Sequence, residues 1–491
     1  CHVFLLTTFH SMRYTLLLSI CFITFQTSVK DALTHAYKLY AAPSNTTLQF
    51  AVQDSSQLFA HTARPWLTYN RNPSGICYVS DTFFLKKDSI VSSKQNTTFH
   101  ATTQYTPSHL LITDFGTDKP QSITPQELDE YVFQSARYSP ILLLHYYLQH
   151  KDKLTMKKYR KQKAYTLPIG ENKTTIFINA ENLIDSITVQ YPHYLFGDIT
   201  RAFIYTSHIT LGEITVPNDI RITSFNRHIS ERTLISSPTL IHTAPLAQPA
   251  PAGYAIQEKK EDTIQVQSER YNDHIGFIHN LHTDSRTVAI NFKDFLMVIE
   301  APLNSENGTR IIAEVHKLFP GKPIRYFAYS HHHPHYLGGV RSFIHEGATI
   351  LSQDSNLHYL QFIASNPHTM KPDSLQLQPQ PLKTELYTDK KEITDGEYTM
   401  QIHLIGNKSS HAYDFAVFYF PEEKLLFEGE LIWIKKEGER AKANPRQAGL
   451  YNAIKELHLD IKTIVQSWPL NNYGLKSIIS FDELEQSAKM Q

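Results

Sequence analysis

Two rhythms of apolar and polar residues divide the chain. In the first, apolar residues recur at every second position. Thr47-Leu48-Gln49-Phe50-Ala51-Val52, Cys77-Tyr78-Val79-Ser80 and the stretch 99–105 follow it, with a break at Asn72-Pro73-Ser74-Gly75. Alternation of this kind predicts strands of one antiparallel sheet. It returns from Ala164 to about Ser237. Helices are predicted in between. Thr124-Pro125-Gln126-Glu127 offers a capping threonine, a proline suited to the first turn and a glutamate able to reach back to the cap. Ser139-Pro140 opens a second helix in the same style, and an amphipathic helix is predicted over 30–42.

The second rhythm begins near Ile264. Val288 to Phe292 and Phe295 to Glu300 read as a strand pair, and Ile311, Ile312, Val315 and Leu318 have helical spacing within 305–319. A strand over 324–329, a helix over 340–345 and a strand over 348–351 follow. Such alternation demands a sheet covered by helices, with chemistry expected at strand C-terminal ends. Between the two rhythms lies a Pro/Ala-rich spacer, Ala244-Pro245-Leu246-Ala247-Gln248-Pro249-Ala250-Pro251-Ala252-Gly253. We therefore expect a β-rich α+β domain over 30–243, a linker over 244–256 and an α/β domain over 257–491.

Composition narrows the function. Lys+Arg and Asp+Glu both number 47 and no long charge block occurs, which argues against a nucleic-acid binder held by electrostatics. Met12-Arg13, the apolar run from Leu16 to Phe25 and Gln26-Thr27-Ser28 read as a secretory signal over 12–28, too short to span a membrane stably. Its removal would leave Cys77 as the lone cysteine, unable to form an internal disulfide. An exported protein of the bacterial periplasm or cell exterior is the expectation.

The chemistry concentrates in Tyr329-Ser330-His331-His332-His333-Pro334-His335-Tyr336-Leu337-Gly338-Gly339, where four imidazoles fall within five residues. Histidine is the commonest protein ligand for zinc, and rings two apart on a turned loop can face one ion. The glycine pair is expected to let the chain turn sharply. A solvated histidine-rich loop is the competing reading.

Ser330, His331, His333, Gly338 and Gly339 match in register the signature Ser/Thr-His-x-His-x-Asp-His-x-Gly-Gly, so the segment resembles the metallo-β-lactamase fold. His335 departs from the signature's Asp and Tyr336 from its third His. The resemblance covers about 265–470. It implies an αββα sandwich and makes His331, His333 and His411 the ligands of a first metal site. It places Glu430 where the family has a bridging Asp, and aligns Trp468 with the last family His. A second ion is thus not expected, and His335 stands as a candidate base in place of the Asp. The first half resembles, around 210–217, the half-barrel of the outer-membrane lipoprotein-carrier fold. That implies an apolar or lipid-like ligand, against a docking or structural role. Ala63-Arg64-Pro65-Trp66 is similar to the accessory region of some exported hydrolases of the metallo-β-lactamase fold.

Three imidazoles and an open position make a site that lowers the pKa of bound water to about 7. The expectation is an exported hydrolase of a small-molecule substrate, cleaving an ester, amide or lactam-like bond with a zinc-bound hydroxide, and using His335 and Glu430 catalytically. The alternative is a catalytically degenerate relative acting as a binding or accessory protein. Specificity is expected from loops over 354–384 and 435–447.

Overall fold

A computed structural model describes residues 32–490, apart from 60, 93–96, 114–122, 160, 244, 246, 259–262 and 440. The signal expected at 12–28 and parts of the linker lie outside the described residues. By internal contacts the chain forms two units. The first comprises residues up to Leu58, Tyr69–Tyr191 and Ile199–Lys259; the second comprises Phe59–Thr68, Pro192–Asp198 and the rest of the chain.

The first unit is built on one 13-stranded sheet. Its first strand, Thr47–Leu58, lies antiparallel between the last, Ile229–Ile241, and Ser74–Val79. The outermost strands, His109–Thr113 and Thr155–Tyr159, flank the helical insert in the chain. The insert must therefore cross a face of the sheet to join its two edges. There it buries Tyr131, Val132, Leu143, Leu144 and Tyr147 against Phe50, Phe84, Tyr165, Ile176, Ile187 and Phe203. Alternation sets that face: Asn172–Ile178 is buried at every second position. The helix Pro125–Gln134 starts as its sequence requires, with Thr124 and Glu127 forming a reciprocal capping box. The second helix, Ile141–Gln149, begins without a side-chain cap bond at Pro140.

The second unit is a helix–sheet–sheet–helix sandwich. One sheet takes its strands in chain order: Val266–Arg270, Ile275–Asn280, Ser285–Asn291, Leu296–Ile299, Ile324–Ala328, Thr349–Gln353 and Lys383–Tyr387. Pairing is antiparallel up to Leu296–Ile299 and parallel beyond it. The other sheet, also in chain order, contains Lys390–Thr394, Thr399–Leu404, Ala416–Phe420, Leu425–Glu428, Thr463–Gln466 and Ile478–Ser480.

The two sheets share an apolar core. Phe277, Val288, Ile290, Met297 and Ile299 of the first meet Met400, Ile402, Phe418, Leu425, Phe427 and Val465 of the second. On the outer face of the first sheet, Leu318 of the helix Ser305–Leu318 comes so near Gly276 that a Cβ there would meet it at 2.2 Å. On the same sheet Phe343 of the helix Val340–His345 stacks on Phe327 at 4.2 Å. Leu450, Ala453 and Leu484, from the helices Pro445–Glu456 and Phe481–Lys489, pack with Val417, Leu426 and Ile464 on the second sheet.

Several expectations need amendment. Residues 59–68 and 192–198 pack with the second unit rather than with the rest of the first half, because their aromatics are lodged there. Trp66 stacks on Phe59 and Phe196 at 5.3 Å each and meets Tyr359 and Phe362 edge-on. The stretch 354–384 is not all loop: it holds the helices Leu357–Ser365 and Ser374–Leu377. The glycine pair makes no unusual turn, since Gly338 and Gly339 have φ of −55° and −81°. Close packing demands them instead. A Cβ on Gly338 would lie 2.3 Å from the Leu303 carbonyl, and one on Gly339 2.7 Å from Ala301.

Candidate metal centre

The histidine loop leaves the C-terminal end of the parallel strand Ile324–Ala328 and enters a one-turn helix, Pro334–Leu337, with proline in the first turn. His331, His332 and His333 are all buried, so the loop is not a solvated one. Across the sandwich, a turn over 405–415 carries His411, and Glu430 follows the strand Leu425–Glu428. The Ala416 N–H donates to the Ser330 carbonyl at 2.7 Å and ties these loops together.

Ligand atoms of His331, His333, His411 and Glu430 all lie within 4.8 Å of one another. His331 Nε2 is 2.9 Å from His333 Nδ1 and 3.6 Å from Glu430 Oε1. His411 Nε2 is 2.6 Å from Glu430 Oε1, yet not in hydrogen-bond geometry, so this buried nitrogen has no hydrogen-bond partner. Three ring nitrogens and a carboxylate oxygen converge here, with one hydrogen bond between His331 and His333 and the buried His411 nitrogen left without one, an arrangement that a cation would satisfy. Burial lowers the pKa of His331 to about 4, against the pull of Glu430, and that of His333 still further. Burial works against the charge on Glu430, but the His331 and His411 rings outweigh it and hold that carboxyl well below its ordinary range. Neutral imidazoles with an ionised carboxylate are the donor set that zinc takes.

The surroundings orient each ring. His333 Nε2–H donates to the Thr62 carbonyl at 2.9 Å, which leaves Nδ1 with its lone pair toward the cluster. Ser330 Oγ lies 3.0 Å from His331 Nδ1, on the ring edge away from the cluster. His332 turns away from the cluster to Asp414. The Asp414 carboxylate accepts from the His332 backbone N–H at 2.7 Å, pairs with His332 Nδ1 at 2.9 Å, and accepts from Asn356 Nδ2 at 2.7 Å. Burial opposes the Asp414 charge, but the His332 ring outweighs it and keeps that pKa below the usual value.

His335 is not among the converging atoms. It is half-buried on the one-turn helix, stacked on His61 at 5.5 Å, and its pKa is lowered by burial and by His61. Tyr336 is buried, with its ring 4.3 Å from that of His331. Glu430, expected as a catalytic carboxylate, lies within the ligand set, and Arg446 Nη1 stands 3.7 Å from its other oxygen. Behind the set, Glu300 and Glu428 are fully buried, and burial raises both carboxyls to about 8. Glu300 has φ of 70° and neither of its carboxyl oxygens is hydrogen-bonded.

Thr62, Asp414 and Glu300 escaped the sequence reading. None belongs to a readable motif, and each gains its role through a contact distant in sequence. Asp414 stands three residues past His411, which is the one hint available.

No protein-family model matches the sequence, and no curated protein does. Solved structures match in fold. A metallo-β-lactamase from Pontibacter korlensis is 15% identical, over 45% of this chain and 97% of that one, with a TM-score of 0.34. One from Hirschia baltica is 16% identical over 45% and 95%, with a TM-score of 0.33. One from Pseudomonas aeruginosa, in its mono-zinc form, is 19% identical over 46% and 94%, with a TM-score of 0.33. The second unit is a two-sheet sandwich covered by helices, by the order of its own strands and helices. It carries a His/Glu cluster able to hold a metal ion.

Proposed function

We propose that the protein is a zinc-dependent hydrolase that cleaves an ester, amide or lactam-like bond in a small molecule, and that it works outside the cytoplasm. The observation that carries this reading is the convergence of His331 Nε2, His333 Nδ1, His411 Nε2 and a Glu430 oxygen, with the His411 nitrogen otherwise unpartnered. When bound, zinc supplies Lewis-acid polarisation and an acidified water.

The chain's own groups do the rest. Thr62 fixes the tautomer that aims His333, and Ser330 holds the far edge of the His331 ring. Asp414 holds the loop backbone through His332. His335, kept neutral by burial, offers a proton acceptor at the edge of the cluster. Arg446 balances the Glu430 carboxylate. By the motif resemblance Tyr336 and Trp468 replace histidines of a second ion, so one ion is proposed.

Chelation tests it. Hydrolysis of a panel of simple esters, amides and lactams should be lost with a chelator and return with zinc. Turnover unaffected by thorough chelation would refute the proposal. Turnover of none of the panel by zinc-loaded protein would favour a binding role.

A further inference from the structure

Beside the cluster, the chain builds an aromatic platform that takes no part in the metal centre. The loop after Thr463–Gln466 presents Trp468, whose ring lies 6.5 Å from that of His335. Trp433 follows Glu430 by three residues and its indole N–H donates to the Glu430 carbonyl at 3.1 Å. Tyr473 joins them. The centroid separations are 6.2 Å for Trp433–Trp468, 6.0 Å for Trp433–Tyr473 and 5.5 Å for Trp468–Tyr473, with ring planes inclined by 58° to 71°.

Backbone bonds hold this platform in place. Asp284 accepts from the backbone N–H groups of Asn471 and Asn472 at 2.9 Å each. The two loops are laced by Lys436 N–H to the Gly474 carbonyl and Lys476 N–H to the Ile434 carbonyl, both 2.8 Å. Tyr473 is held at φ of 63°, a conformation that L-residues seldom adopt, and is 65% exposed. A large ring on a strained, pinned backbone and open to solvent contributes little to a core. Strain of this kind gathers where a ligand is held.

We propose that Trp433, Trp468 and Tyr473 form a subsite for an aryl group of the substrate, adjoining the metal centre. The inclined rings are partly open, Tyr473 the most, and a further aromatic ring would add edge-to-face and offset contacts to them. Trp468 beside His335 and Trp433 on the Glu430 backbone put the platform next to residues that flank or belong to the cluster. The bond to be cleaved would therefore be one attached directly, or through a short spacer, to the ring. The position of this subsite relative to chemistry rests on the hydrolase reading; its capacity to bind does not.

The chain has only three tryptophans, Trp66, Trp433 and Trp468. In the Trp66→Phe protein, emission thus comes from the platform alone. Benzyl alcohol should change this emission saturably, and Tyr473→Ala should weaken its binding by about fivefold to tenfold, the scale of one aromatic pair. Cyclohexylmethanol and methyl glucoside should bind at least that much more weakly than benzyl alcohol. No saturable change with benzyl alcohol, equal binding of cyclohexylmethanol, or preferred binding of the glucoside would each overturn the proposal.

A kinetic arm compares phenyl acetate with methyl acetate. Tyr473→Ala should lower the kcat/KM ratio between them by a similar factor at unchanged metal content. If zinc-loaded protein turns over none of the ester, amide and lactam panel while benzyl alcohol still binds the platform, the hydrolase reading fails and the subsite stands.

Discussion

Asp414→Ala is the perturbation whose cost can be worked most directly from the structure. The carboxylate is 3% exposed and serves three buried donors: the His332 backbone N–H, His332 Nδ1 and Asn356 Nδ2. Alanine leaves all three buried donors without their acceptor. Each orphaned donor costs about 1 to 3 kcal/mol, and loss of one partner from a buried pair about 3 to 5 kcal/mol. We expect a destabilisation of about 3 to 5 kcal/mol at pH 7. Asp414→Asn keeps one acceptor but turns an amide toward a donor, so it should cost roughly half as much.

Urea unfolding of metal-free protein, followed by tryptophan emission, reads this directly, since Trp66, Trp433 and Trp468 all belong to the second unit. The pH dependence has a defined sign. The folded pKa of Asp414 is depressed, so its contribution is complete above the unfolded value of about 4 and fades as pH falls below it. The gap between wild type and variant should therefore be full at pH 7 and shrink in acid. An Asp414→Ala protein within about 1 kcal/mol of wild type at pH 7 would show that the loop is not held this way.

Glu300 should behave in the opposite sense. Its folded pKa of about 8 lies above the ordinary value of 4.5, so its protonated form favours the fold below about 4.5 and that advantage drains away as pH rises through 8. Glu300→Gln should gain on wild type over this window, by on the order of 3 to 5 kcal/mol at its alkaline end; parallel pH–stability profiles would rule this out. Trp66→Ala should destabilise the second unit by about 3 to 5 kcal/mol, as read in urea, whereas a negligible change would mean that residues 59–68 merely rest there. Gly339→Ala introduces a Cβ at 2.7 Å from Ala301 and 2.9 Å from Gly308. It should cost about 1 to 3 kcal/mol and loosen metal binding; an unperturbed thermal midpoint would contradict the packing reason given for that glycine.

The parts of the fold legible in sequence are those with local causes. Thr124 and Glu127 form their box because the four residues contain every atom required. Strand alternation reads well where one face is buried, as in Asn172–Ile178. The strand Leu296–Ile299, buried at all four positions, was legible through its length and flanks rather than its period. What the sequence concealed is non-local. Nothing near Thr62 tells that its carbonyl meets His333, 271 residues away. Trp66 reads as a first-domain aromatic until Phe196, Tyr359 and Phe362 are brought around it. The glycine pair was noticed for the wrong reason, since close approach, unlike a turn, has no local signature. His331, His333 and His411 were found through register with a known motif, and spacing alone would not have joined His411 to the other two.

Metal content of the purified protein tests the central claim most directly. After equilibrium dialysis against zinc, wild type should hold about one ion per chain. His331→Ala, His333→Ala and His411→Ala should each lose it while remaining folded by far-ultraviolet circular dichroism. A wild type that takes up no zinc, or three folded variants that all keep a full complement, would contradict the metal centre on which the proposed function depends.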